Sequence, residues 1–364
     1  MTLFIAALSL FFIAFGTTAI LTAIVQKLST QKSFVSVPVE DRYHKAPVPL
    51  GGGIAIFITM AAALLAGLAA AKIYLVTGWP DVFGSAAAEY AANFLGKTTQ
   101  LLVIVLSMSL LFAVGLWDDK KHLGPFFKLA VQFIVAFFAA LFADVRVELF
   151  IESRFITSML SALWIVLIIN AFNFLDNMDG LSAGIAAIAS CILLTAAVIS
   201  EQVFVSSLAV VFIGSLLGFL VFNFPPAKIF MGDAGSLVIG FFVALLTLRT
   251  TYYNQAQSGR WYPVLLPLIV MAVPLYDFLS VTFLRIKQGK SPFVGDTQHF
   301  SHRLKRRGLN DTQTVLTLYL ATLTTGLSAA FLYQVDAAGA VMIFLQTFMV
   351  LAIIAVLEAA GKNG

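Results

Sequence analysis

The sequence predicts an all-α fold, a polytopic integral membrane protein with 10–11 transmembrane helices, organised as one domain over residues 1–364. Three observations carry this prediction. Sixty per cent of the side chains are hydrophobic and 11% are charged, whereas soluble chains carry roughly 25% charged residues. Apolar runs of about 20 residues, enough to cross a hydrocarbon core roughly 30 Å thick, recur from one end of the chain to the other. The runs are continuous rather than alternating, which argues against a β-barrel. Cys191 is the sole cysteine, so a disulfide framework and a thiolate metal site are both excluded.

The first run, Thr2 to Val25, is too long for a signal-peptide core, lacks a basic flank and shows no clear cleavage site, so it reads as a retained helix. Further spans are expected at 51–71, 99–117, 128–143, 157–174, 181–199, 205–223, 236–250, 262–284, 314–333 and 339–359, the first covering 2–26. The count falls from eleven to ten if a weak segment such as 236–250 or 128–143 is re-entrant. The connecting loops alternate in charge. Loops 27–50, 118–127, 175–180, 224–235 and 285–313, with the C-terminal tail, hold most of the Lys and Arg; the other set holds only Lys72, Lys97, Arg146, Arg154 and Arg260. The positive-inside rule then places the basic loops in the cytoplasm, the N-terminus outside and the C-terminus inside. Tyr252, Tyr253, Trp261 and Tyr262 fit an aromatic belt on the outer face.

The basic-side loops also carry most of the chain's unusual polar residues. Asn170 to Gly184 sets two acids (Asp176, Asp179) and three amides (Asn170, Asn173, Asn177) between apolar runs. If helical, 170, 173 and 176 share a face and Asp176 meets Asp179 at i+3, so the two acids could meet one cation. Upstream, Asp118-Asp119 end an apolar span; neighbouring carboxylates persist where a cation or proton compensates them, a task that Lys120 and Lys121 could also perform. Downstream, Phe230-Met-Gly-Asp-Ala-Gly-Ser236 places Asp233 ahead of an apolar helix. There it is either a simple cap or part of a turn that exposes a carboxylate and free amides to phosphate or metal-bound oxygen. The first basic loop offers His44, Lys45 and the run Gly51-Gly-Gly53, whose amides suit an anion unless the Pro and Gly merely start a helix. The last one carries Asp296, His299, His302, Arg303, Arg306 and Arg307. If helical, the last five follow one face. A basic loop of that kind rests on anionic lipid or faces an anionic substrate.

Five acids at one set of helix ends, beside a His/Arg patch and without cysteine, favour Mg²⁺ or Mn²⁺ over zinc. Such a site suits phosphoryl transfer at a membrane surface, because the metal bridges carboxylates to phosphates and the cations offset the remaining charge. The main rival is a secondary transporter. It would place its ionisable residues near the bilayer midplane and show repeat symmetry. Here the acids collect at helix ends and no repeat is evident.

Five motifs in order, His-Lys-x-Pro-x-Pro-x-Gly-Gly (44–52), Asp-Asp (118–119), Asn-x-x-Asn-x-x-Asp-x-x-Asp-Gly (170–180), Phe-Met-Gly-Asp-x-Gly-Ser (230–236) and Asp-x-x-His-x-x-His-Arg-Leu (296–304), resemble those of the polyprenyl-phosphate N-acetylhexosamine-1-phosphate transferases. The resemblance implies a multi-helix enzyme of the bacterial plasma membrane with a cytoplasmic active site. Its reaction would be Mg²⁺-dependent transfer of a sugar-1-phosphate from a UDP-N-acetylhexosamine to undecaprenyl phosphate, releasing UMP. Its partners would be those two substrates and membrane lipid, not nucleic acid, and a homodimer is compatible with it. By motif, Asp233 would be the principal metal ligand, with Asp176 beside it. Asp118, Asp119 and Asp176 would be the catalytic acids, the first two near the attacking lipid phosphate. Asn173 and Asp179 would shape the nucleotide pocket, while His299, His302, Arg303 and Lys45 would bind phosphate or sugar. The MraY branch carries three consecutive histidines where this chain reads His299-Phe-Ser-His302. That departure points to the WecA/TagO-like branch and UDP-GlcNAc. Many members of that branch carry a histidine at the position of Ser301, which leaves another N-acetylhexosamine open.

Overall fold

A computed structural model describes residues 2–36, 47–77, 86–147, 151–250, 252, 261–291 and 298–359. It is a bundle of helices: α1 Thr2–Gln31, α2 Gly52–Thr77, α3 Ala86–Leu95, α4 Thr98–Lys121, α5 Pro125–Phe142, α6 Arg154–Leu175, α7 Leu181–Ile199, α8 Val203–Asn223, α9 Asp233–Arg249, α10 Leu266–Val270, α11 Ala272–Lys287, α12 Phe300–Lys305, α13 Asp311–Ala330 and α14 Ala337–Ala359. Among the described residues, nine helices are long and apolar enough to cross a membrane, and ten if α10 and α11 count as one broken span. Large apolar side chains such as Phe4, Phe12, Phe126, Phe155, Phe283 and Phe348 stand on the outer surface, where lipid rather than water is their natural solvent.

The helix ends follow local chemistry. Pro125 starts α5 at a position whose N–H would have no helical partner. The Ser153 side chain accepts from Ile156 N at the start of α6, and Asn310 with Gln313 forms a capping box on α13. The expected continuous span 262–284 is broken. Its two halves meet at 64° around Met271, because Pro274 has no N–H to offer the Val270 carbonyl one turn back. Two further features were not expected: α3, on the less basic side, and a two-stranded antiparallel ribbon, β1 Val35–Ser36 with β2 Val48–Pro49.

At the centre lies α9. Its 17 residues measure about 25 Å, less than a full hydrocarbon thickness. Every residue from Ala234 to Thr247 is buried, under α2, α4, α6 and α7. Polar contacts join the surrounding helices. Thr18 of α1 hydrogen-bonds with Thr59 of α2 at 2.8 Å and Ser215 of α8 at 3.0 Å, and Trp164 Nε1 of α6 donates to Thr247 Oγ1 of α9 at 2.9 Å. Between apolar helices, such bonds carry specificity that lipid exclusion cannot supply.

Candidate active site

The polar ends of α2, α4, α5, α6 and α9 meet on one side of the bundle, and their close approach depends on glycine. A Cβ on Gly53 of α2 would lie 2.2 Å from Gly235 N of α9, and one on Gly115 of α4 would lie 2.5 Å from the Asp233 carbonyl. Backbone therefore packs on backbone. The Gly52 and Gly53 amides, one candidate for anion binding, donate instead to the Phe230 and Met231 carbonyls at 2.9 and 3.0 Å. His44, Lys45 and Asp296 lie outside the described residues.

Asp118 and Asp119 occupy the last turn of α4, which stops at His122 in the left-handed region (φ 45°). Their roles differ. Asp119 grips the start of α9: its Oδ1 accepts from Asp233 N at 2.8 Å and its Oδ2 from Ala234 N at 3.2 Å. The amides expected to be free at that helix N-terminus are thus already taken by the Asp119 carboxyl oxygens. Asp118 turns the other way. Its Oδ1 accepts from Leu123 N, and its Oδ2 lies 2.7 Å from Lys128 Nζ. The same ammonium lies 2.8 Å from Asp233 Oδ2, so Lys128 of α5 bridges two acids that are far apart in sequence. Asn173 Nδ2 of α6 completes the cluster, donating to Asp233 Oδ1 at 3.2 Å and Ser236 Oγ at 2.9 Å.

The helix that carries Asn173 ends at Leu175, so the one-face expectation for Asp176 and Asp179 stops there. Asp176 remains beside the cluster. Burial pushes its carboxyl well above the ordinary range, and the charges of Asp233, Asp119 and Asp179 add to the shift. Asp179 Oδ2 accepts from Ala227 N at 2.8 Å. Asn223 reinforces that link, taking Gly180 N at 3.0 Å and giving to the Ile229 carbonyl at 2.9 Å. The stretch 176–180 is consequently tied to the loop that delivers Asp233.

The basic segment docks on the same turn. Ser301 Oγ donates to Asn177 Oδ1 at 2.6 Å, and the His299 ring stands edge-on to Phe174 with centroids 5.5 Å apart. His299 Nδ1 lies 2.8 Å from Asp277 Oδ2 of α11. The His302 ring centroid is 6.2 Å from that of His299. Burial, with the nearby His299 and Lys305, lowers the His302 pKa to about 4. Arg303 faces elsewhere: its guanidinium donates to Ser280 Oγ at 2.9 Å and pairs with Glu358 of α14 at 3.1 Å. Arg307 donates to the Glu358 carbonyl at 2.6 and 3.2 Å. These two arginines fasten α12 to α14, and the helix ends at Lys305, before Arg306 and Arg307 continue its expected face.

Sequence reasoning missed Lys128 and Asp277. Both carry one signal: each is a charged residue inside an otherwise apolar span, where an ionisable group is a site candidate by default. Among the described residues no three His, Cys, Asp or Glu side chains stand close enough to hold a metal ion by themselves. Asp118 and Asp233 do share a cation, the Lys128 ammonium.

Comparison with known proteins gives the same reading of the chain. A family model described as Glycosyl transferase family 4 matches residues 101–251, the segment holding the acid cluster. A Bacillus subtilis (strain 168) protein named "Probable undecaprenyl-phosphate N-acetylglucosaminyl 1-phosphate transferase" is 31% identical over 330 residues, covering 88% of this chain and 83% of its own. A Mycolicibacterium smegmatis protein named "Decaprenyl-phosphate N-acetylglucosaminephosphotransferase" is 31% identical over 323 residues, 82% of this chain and 75% of its own. A Salmonella typhimurium protein, named "Undecaprenyl-phosphate alpha-N-acetylglucosaminyl 1-phosphate transferase", is 26% identical over 331 residues, 87% and 81% respectively. With its acid cluster at the ends of membrane helices, and a relative of this similarity along most of its length, the chain belongs to glycosyl transferase family 4, among the polyprenyl-phosphate N-acetylhexosamine-1-phosphate transferases.

Proposed function

We propose that this protein transfers N-acetylglucosamine-1-phosphate from UDP-GlcNAc to a polyprenyl phosphate, undecaprenyl phosphate in a bacterial plasma membrane, and releases UMP. The acid cluster faces the cytoplasm in this reading, with the N-terminus outside and the C-terminus inside. The concentration of Lys and Arg in the loops on the cluster's side supports that orientation. The observation that carries the function is the convergence of Asp118, Asp119, Asn173 and Asp176 on Asp233 at the ends of membrane helices, with Lys128 bridging Asp118 and Asp233. Such a site meets a lipid phosphate and a nucleotide at the boundary each can reach.

The donor set suits Mg²⁺ or Mn²⁺. Its oxygens are hard, Asp118 and Asp233 already share one cation, and Mg²⁺ is ordinarily held by one or two carboxylates together with waters and substrate phosphates. Asp233 and Asp118 would hold the ion, with Asp176 beside them; when bound, it neutralises charge on the transferring phosphoryl group. A cation held beside Asp176 would oppose the upward pull that burial and the neighbouring acids exert on its carboxyl. His299 and His302 would meet the donor diphosphate and sugar.

A lipid-phosphate oxygen attacks the β-phosphorus in line. A new P–O bond forms there, the bond to the α-phosphate oxygen breaks, and UMP leaves with that oxygen. Direct attack is favoured over an aspartyl-phosphate intermediate. Both Asp119 oxygens accept α9 amides and Asp118 is held by Lys128 and Leu123 N, so neither is presented as a nucleophile. Trapping phosphate on Asp118, Asp119 or Asp176 would overturn that choice. The overall proposal is tested by incubating the purified protein with Mg²⁺, undecaprenyl phosphate and a panel of UDP-sugars. UMP release with UDP-GlcNAc is expected; silence with every UDP-N-acetylhexosamine would refute the reading.

A further inference from the structure

We infer that Asp277 is a positioning residue for the transfer: it fixes the His299 ring with Nε2 directed to the donor diphosphate and pins the first turn of α12. The inference rests on the transferase reading above and adds a residue to it. Asp277 is completely buried (0% exposed) in α11. A carboxyl in such a place is costly unless its oxygens are engaged. Both are: Oδ2 lies 2.8 Å from His299 Nδ1, and Oδ1 accepts from Phe300 N at 2.9 Å.

A carboxylate only accepts, so the Nδ1 that faces it carries the hydrogen, and Nε2 becomes the ring's outward atom. Phe174 closes the ring from the side at 5.5 Å between centroids, and the buried Arg285 guanidinium lies 5.1 Å from the centroid of the same phenyl ring. His299 is thus held on two sides and 6% exposed, with one polar atom left to offer. The bond to Phe300 N makes the arrangement more than a pairwise contact. One side chain sets both the ring and the backbone that carries it, on the segment that Ser301 ties to Asn177. Asp277 itself makes and breaks no bond in the reaction.

The test uses full-length protein in nanodiscs, with UMP release as the readout. Asp277→Asn keeps the volume but cannot accept from both partners with the same charge. It is expected to lower kcat/KM for UDP-GlcNAc by about tenfold to a hundredfold, as loss of an orienting partner of a histidine does. The loss should appear in the donor KM while the KM for undecaprenyl phosphate stays within about twofold of wild type. In a His299→Gln background the same substitution should cost less than about twofold more, since the partner through which it acts is gone. An equal loss in both backgrounds, unchanged kinetics, or both KM values unmoved would overturn the proposal. A second measurement does not depend on the folding of the Asp277 variant. In ¹⁵N-histidine spectra of the wild type, which has four histidines, the signal lost in His299→Gln should report a protonated Nδ1. A bare Nδ1 would refute the assignment even in an active enzyme, whereas a wild type that releases no UMP would instead strike the transferase reading.

Discussion

Lys128 provides the most direct check on the electrostatics of the site. Its ammonium lies 2.7 Å from Asp118 and 2.8 Å from Asp233, with the three side chains only 10–27% exposed. Replacing it with methionine preserves much of the stem and removes the charge. Each hydrogen bond to a charged group contributes about 1.5–3 kcal/mol, and breaking a buried pair by removing one partner costs about 3–5 kcal/mol. Lys128→Met should therefore lose about 3–5 kcal/mol, because Asp118 and Asp233 are left facing each other, with Asp119 and Asp176 close by. A divalent cation can supply the missing charge. Thermal unfolding in detergent, with EDTA or with Mg²⁺, should show a clear drop for the variant in EDTA and a larger Mg²⁺-induced gain than in wild type. Equal stability in EDTA, or an equal Mg²⁺ gain in both proteins, would refute the idea that Lys128 acts as the counter-charge of a cation site.

Three other perturbations are informative. Asp233→Asn should reduce UMP release by about a hundredfold or more, about 2.7 kcal/mol, and raise the Mg²⁺ concentration needed for half-maximal rate; an unchanged Mg²⁺ requirement would count against its role. Gly53→Ala should fail to give monodisperse protein by size exclusion, since its Cβ would lie 2.2 Å from Gly235 N, whereas Gly16→Ala, with nothing within 4 Å, should behave as wild type. His302 titrates at about 4 in the fold against about 6.5 in an unfolded chain, so the unfolded state binds the extra proton between those values. The His302 contribution should accordingly be nil above pH 6.5 and cost about 3 kcal/mol as pH drops to 4, read as the difference between wild-type and His302→Gln unfolding curves across that range.

The architecture was readable because bilayer thickness imposes a length on every span, and apolar runs announce that length directly. Each expected span has a helix or a helix pair in its place. Less readable was the break at Met271: composition sees a largely apolar run continuing from Trp261 to Leu284, while the kink depends on one missing N–H at Pro274. The acids were found because charge at the end of an apolar run is conspicuous. Their division of labour was not, since whether Asp119 binds a helix start or a cation depends on how α4 approaches α9, and that approach is permitted by Gly115 and Gly232 rather than by the acids. A positive φ of 76° at Gly232, with Asp119 Oδ2 only 2.6 Å from where a Cβ would be, shows how little room that meeting leaves. Lys128 and Asp277 escaped because each reads as a solitary impurity in a hydrophobic span; only the three-dimensional neighbour gives it meaning.

The clasp between α12 and α14 has a consequence in time. Arg303 and Arg307 rest on Glu358, which is joined to the chain fifty-five residues after Arg303. At about 5–20 residues per second, synthesis needs roughly 3–11 s to cover that interval. During those seconds the residues of the acid cluster, Asp118 to Asp233, are already in the chain, while the histidine segment lacks its anchor. The histidine side of the site is thus fastened by a late-made helix, α14, after every residue of the acid cluster has been synthesised.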